Sequence, residues 1–291
     1  MTTKTKQEQD QVDDVRVHVR EHYGKLAAER VPIVQESCCG PSAESGCCGS
    51  GGELSGEAMA HVSKLYQSAD VLELPPDVTE MSFGCGDPVT LATLNPGETV
   101  LDLGSGGGID VFLAGKRVGE SGRVIGVDMT AEMIEKARAN QAKVGATNVE
   151  FRLGEIEHLP VADDSVDVII SNCVVNLSPD KPQVFRETFR VLKSGGRLAV
   201  SDIVTDGPLP DEIKSSLSAW AGCVAGALDV KDYIAAIEAA GFVDVQVKPV
   251  YFDKAMVDQA VADLDLEDQV DTDNDAVYKS AFSANVTAHK P

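Results

Sequence analysis

Seven cysteines are the residues of this 291-residue chain best suited to chemistry, and they fall into two sets. Cys38-Cys39 and Cys47-Cys48 are adjacent pairs in a stretch rich in glycine and serine, whereas Cys85, Cys173 and Cys223 stand singly. Thiolates are nucleophiles and soft ligands for thiophilic metals and metalloids. A second feature is Val100-Leu101-Asp102-Leu103-Gly104-Ser105-Gly106-Gly107-Gly108, an apolar run entering a glycine-rich turn. Glycines let the backbone turn tightly and approach a ligand that a side chain would exclude. About 20 residues past the last glycine, Val124-Ile125-Gly126-Val127-Asp128 ends in a carboxylate suited to ribose hydroxyls. Nicotinamide enzymes share both features, so spacing alone supports Gly104, Gly106 and Asp128 as ligand contacts.

Elements that could position these residues follow from the apolar pattern. Runs at 99–103, 123–128, 149–153, 166–171 and 197–202 are nearly continuous in apolar residues, as strands buried on both faces must be. Segments of helical period at 108–118, 131–144 and 182–192 separate them, the second with Thr130 as expected N-cap and Gly145 as expected stop. The alternation predicts an α/β fold, a doubly wound and mostly parallel sheet. Ligands of such sheets bind outside the carboxyl ends of the strands, where Cys173 emerges after the fourth strand.

Three parts are expected: an N-terminal arm with a cysteine-rich loop (1–80), the nucleotide-binding domain (81–205) and a C-terminal α+β lid portion (206–291). In the arm, 12–30 reads as a helix and 37–56 as a loop. After the core, 208–228 and 230–240 read as helices, 243–251 as a strand and 276–287 as a last strand.

The formal net charge of −22 disfavours nucleic acid and anionic membranes as partners. Dense carboxylates also suit a protein of a salt-rich cytoplasm, an expectation that activity measured against KCl tests. No apolar run reaches the length of a membrane span, and the first residues lack the core of a signal peptide, so a cytoplasmic location is expected. There, seven cysteines read as ligands or redox groups rather than as a disulfide framework. His18 and His22 have helical i,i+4 spacing, which reads as an exposed face, and adjacent cysteines do not reproduce zinc-site geometry; no structural metal is expected.

Two further segments discriminate among nucleotide-binding folds: Leu153-Gly154-Glu155-Ile156-Glu157-His158-Leu159-Pro160 and Arg190-Val191-Leu192-Lys193-Ser194-Gly195-Gly196-Arg197-Leu198. With the glycine-rich turn they resemble class I methyltransferases. With Gly84-Cys85-Gly86, Ser171-Asn172-Cys173-Val174-Val175-Asn176-Leu177-Ser178, Trp220-Ala221-Gly222-Cys223 and the paired Cys-Cys-Gly elements, the chain closely resembles the microbial arsenite methyltransferases from 84 to 242. The resemblance implies S-adenosylmethionine as cofactor, with Asp102, Gly104, Ser105 and Gly106 near its methionine part. It implies Asp128 at the ribose, Met129 against the adenine, and Ile156 and Glu157 at the adenine edge, with Glu155 and Asn172 also among the binding residues. It implies arsenic held by Cys85, Cys173 and Cys223, and a disulfide relay joined by one or more of Cys38, Cys39, Cys47 and Cys48. The partners it implies are arsenite or its thiol conjugates and a thioredoxin-like or glutathione-like reductant. A quinone- or sterol-type C- or O-methyltransferase and a non-catalytic thiol scavenger are the rival readings.

Overall fold

The structure, a computed structural model, describes residues 6–29, 66, 71, 73–79, 84–207, 226–252, 254–263, 273–274 and 279–291. Cys38, Cys39, Cys47, Cys48 and Cys223 lie outside these residues, as does most of the helix expected over 208–228.

Helix α1 (Lys6–Glu29) begins earlier than its sequence pattern suggests, and two single-turn helices, α2 (Pro76–Thr79) and α3 (Pro88–Leu91), lead into the core. The core then alternates β1 (Thr99–Leu103), α4 (Ile109–Val118), β2 (Arg123–Asp128), α5 (Ala131–Val144), β3 (Val149–Leu153), β4 (Val166–Asn172), α6 (Lys181–Val191) and β5 (Leu192–Thr205). It ends with α7 (Val230–Ala239), β6 (Val243–Val250), α8 (Lys254–Asp263) and β7 (Ala281–His289). The sheet has seven strands in the order β3-β2-β1-β4-β5-β7-β6. β1 to β5 pair in parallel, and β7 is antiparallel to both β5 and β6. β6 and β7, from the C-terminal portion, thus extend the same sheet. α8 carries no clear apolar stripe in sequence and was not expected.

The central strands β1, β2 and β4 are largely apolar and buried because helices cover both faces of the sheet there. Leu101, Leu103, Ile125, Val127 and Ile169 pack with Val184 and Phe185 of α6 and with Tyr233 and Ile237 of α7. Their alternating neighbours Val100, Val124, Val168 and Ile170 pack with Phe112 and Leu113 of α4 and Ile134 of α5. Gly145 does end α5, in a left-handed conformation. Thr130 caps its start without a side-chain bond; its backbone N–H instead donates to Asp128 Oδ1 at 2.8 Å. Among the described residues no helix is long and apolar enough to cross a membrane.

Candidate active site

Strand order reverses between β1 and β4, so the chains leaving their carboxyl ends diverge and open a crevice. A cleft lies there, its empty space about 930 Å³ with open solvent included. The β1–α4 turn gives it Gly104, Ser105 and Gly106; β2 and its following turn give Asp128 and Met129; the segment after β3 gives Ile156 and Glu157; β4 and its loop give Asn172 and Cys173. Nine residues foreseen in sequence therefore share one cavity. Asp102 is buried beneath it rather than lining it. Glu155 lines a neighbouring groove, where it accepts from Arg20 at 3.1 Å.

The glycine turn is fitted to its surroundings. Gly104 has φ +70°, and a side chain there would meet Val174 at 2.4 Å, whereas Gly106, at φ +49°, has nothing within 4 Å of where a Cβ would stand. The turn therefore leaves room for a ligand beside its backbone. Gly106 N donates to Asp128 Oδ2 at 2.9 Å, which ties the turn to the end of β2. Burial raises the pKa of Asp128, against the lowering pull of bonds from Thr130 and Gly106. Burial likewise drives Asp102 well upward, helped by the charges of Asp110 and Asp128. Two buried polar atoms of the cleft, Ser105 Oγ and Asp110 Oδ1, have no hydrogen-bond partner among the described residues. Buried polar atoms are rarely left so, and a polar ligand would satisfy them. These features suit S-adenosylmethionine, whose ribose hydroxyls, ammonium and carboxylate need both donors and acceptors.

On the far side, Cys85 and Cys173 are joined as a disulfide, 88 positions apart in sequence and with 5.9 Å between their α-carbons. Cys173 lines the cleft, and Gly84 lines it beside Cys85. Asn172 organises this corner. Its Oδ1 accepts from Cys85 N at 2.9 Å and Gly86 N at 3.2 Å, while its Nδ2 donates to Gly86 O at 2.9 Å and Asp110 Oδ2 at 3.2 Å. A side chain at residue 84 would strike Asn172 at 2.3 Å, so glycine is needed for this close approach. Cys173 has φ +58°, uncommon for a residue with a Cβ, and its N–H donates to Ser201 O at 2.7 Å. The following loop is braced from below: Asn176 N and Tyr233 Oη donate to Asp202 Oδ2, and Lys181 Nζ donates to the carbonyls of Asn176 and Ser178. Burial pushes Asp202 up to about 7 against the opposing charge of Lys181.

The described residues on either side of 208–225 are pinned at the end of β5: Gly207 N donates to Asp229 Oδ2 and Thr205 N to Leu228 O. Among the described residues no group of three or more His, Cys, Asp or Glu is arranged to hold a metal ion.

Cleft residues not foreseen include Arg16, Val19, Tyr23, Tyr66 and Asp110. Asp110, in the first turn of α4, has burial raising its pKa to about 7 against bonds from Asn172 and Tyr66. Its place directly after the glycine turn was a readable signal, because the start of that helix faces the ligand. Arg16 and Tyr66 had none, since their contacts lie across large sequence separations.

The model of a methyltransferase domain matches residues 94–241. Arsenite methyltransferase of Halobacterium salinarum is 45% identical over 96% of this chain and 67% of its own length. Arsenite methyltransferase of Aquipseudomonas alcaligenes is 37% identical over 78% of this chain and 61% of its own. The chain thus spans about two thirds or less of these curated relatives. Among solved structures, an arsenic(III) S-adenosylmethionine methyltransferase from Chlamydomonas reinhardtii superposes with a TM-score of 0.62 at 34% identity, covering 77% of this chain and 72% of that one.

Proposed function

From its membership of the arsenite methyltransferase family, we propose that this chain transfers a methyl group from S-adenosylmethionine to trivalent arsenic held by its cysteines. The observation carrying this reading is the meeting of two thiol-bearing segments, Cys85 and Cys173, at the rim of a cleft whose other rim is the glycine turn.

Asp128 would accept hydrogen bonds from the ribose hydroxyls, Met129 would lie against the adenine with Ile156 and Glu157 at its edge, and Gly104 to Gly106 would leave space for the methionine part. When bound, the cofactor supplies an electrophilic methyl group on a positively charged sulfur. Cys85, Cys173 and Cys223 in their reduced state displace the oxygens of arsenite as water and form three arsenic–sulfur bonds. The arsenic lone pair then forms the As–C bond as the C–S bond to the sulfonium breaks, its electrons returning to sulfur. This nucleophile carries no proton, so no general base is required, and the protein contributes chiefly by orienting two bound partners.

Methylation raises arsenic formally from the trivalent to the pentavalent state. Two thiolates return it by giving up two electrons and joining as a disulfide, a reading supported by the proximity of Cys85 and Cys173, which are bonded to each other. An external dithiol of thioredoxin type, or glutathione, reopens it, and a cysteine among Cys38, Cys39, Cys47 and Cys48 passes the exchange onward.

Purified protein incubated with arsenite, S-adenosylmethionine and a thiol reductant should yield methylated arsenicals. Arsenite bound without turnover would point instead to a scavenger, and methylation of only a quinone or sterol acceptor to a small-molecule methyltransferase.

A further inference from the structure

One wall of the cofactor cleft comes from outside the matched methyltransferase segment. α1 contributes Arg16, Val19 and Tyr23 to it, although the matched region begins only at residue 94. The helix is seated by the fully buried Val19 and by packing of Ala27 against Met133 of α5. Its polar contacts are specific. Arg16 Nη2 donates to Glu157 Oε1 at 3.2 Å, and Ser178 Oγ donates to the same oxygen at 2.7 Å. Arg20, on the same face at i+4, pairs with Glu155. The Glu157 side chain is 6% exposed, and its Oε2 has no hydrogen bond among the described residues.

We propose that Arg16 is a positioning residue for cofactor recognition: with Ser178 it fixes Glu157 Oε1, so that Oε2 is presented to the 6-amino group of adenine. A carboxylate free to rotate loses that freedom when it accepts a bond from a ligand. Two donors on one oxygen, one of them charged, remove it beforehand and leave the second oxygen as the acceptor that reads the base. α1 is thereby part of the cofactor site, reaching across 141 residues of sequence. The inference rests on the cofactor assignment and is independent of the arsenic one.

The test is calorimetric titration of the full chain with S-adenosylhomocysteine and with its 6-oxo analogue, S-inosylhomocysteine. The analogue replaces the amine donor by a carbonyl acceptor, which a carboxylate repels. The parent protein should prefer the adenosyl compound. Arg16→Met, which keeps an apolar stem, should bind it about tenfold more weakly while the inosyl compound changes little, so that the preference shrinks. Arg16→Lys should restore most of the loss. Equal weakening of both ligands would mark a merely structural role and overturn the proposal, as would an unchanged ratio. If Arg16→Met fails to fold, Ser178→Ala removes the other donor, and a ratio it leaves unchanged overturns the proposal equally. Absence of binding by the parent to either compound would overturn the cofactor assignment itself.

Discussion

The two rims of the cleft are built on different principles. Beyond β1 and β2 the cleft lining comes from a short contiguous motif, a glycine-rich turn whose backbone is tied to the end of β2 by Asp128. Beyond β4 the reactive groups are side chains from separate segments, and Asn172 holds the Cys85 loop against Cys173. A contiguous backbone site tolerates little change at the glycines but depends on few distant residues. A convergent thiol site depends on every loop that delivers a sulfur. The two rims should therefore fail in separable ways.

The sharpest separation comes from Cys173→Ser, which should slow arsenite methylation by roughly a thousandfold through lost positioning while leaving S-adenosylmethionine affinity unchanged. Calorimetry and arsenical chromatography together check it, and a parallel fall in cofactor affinity would erase the distinction between the rims. Asp128→Ala should do the reverse. It should weaken the cofactor by about 1.5 to 3 kcal/mol, because a charged acceptor is lost, while arsenite still quenches or shifts the fluorescence of Trp220, the single tryptophan.

Asp110 joins the rims through Asn172, and its effect should appear in pH dependence. Burial first, against the donors Asn172 and Tyr66, places its folded pKa at about 7, above the ordinary 3.8. The folded chain then keeps a proton that the unfolded chain releases, so stability from this group falls as pH rises from 3.8 to about 7 and is level above. Asp110→Asn should melt higher than the parent at pH 8, with the gap closing toward pH 4; a gap constant with pH would contradict the assignment.

The smallest effect belongs to neither rim. Burial would push Glu98 up, but the guanidinium of Arg197 and the Asn95 amide outweigh it and hold the carboxyl at about 2. Its contribution is complete above the ordinary value of 4.5 and is lost as pH falls through about 2. Glu98→Gln should cost about 1 kcal/mol at pH 7 after allowance for solvent screening, with both ligand affinities untouched, as denaturant melts and titrations would record.

The difference between the rims also explains what could be read from sequence. Gly104, Gly106 and Asp128 announce themselves by spacing within one strand–turn–helix unit, and the five parallel strands by their doubly buried apolar runs. Cys85 and Cys173 could be singled out only by residue type and by family resemblance, because no local period records a contact spanning 88 residues. Arg16 and Tyr66 carried no signal: one lies on a helix of weak apolar pattern, the other in a segment without regular period. Asn172 was noted as a cofactor contact, yet its hold on the Cys85 loop became visible only once β4 and that loop were seen together.

The placement of β7 bears on how the protein is made. This strand follows β6 in the chain but lies between β6 and β5, pairing with both. During synthesis, β6 therefore has no neighbour in the sheet until β7 has been translated and has threaded into the gap. The exposed Val243 and Val250 of β6 are then accompanied by unpaired backbone on both sides. Nascent chains held before that insertion should be the ones most apt to engage chaperones or to aggregate.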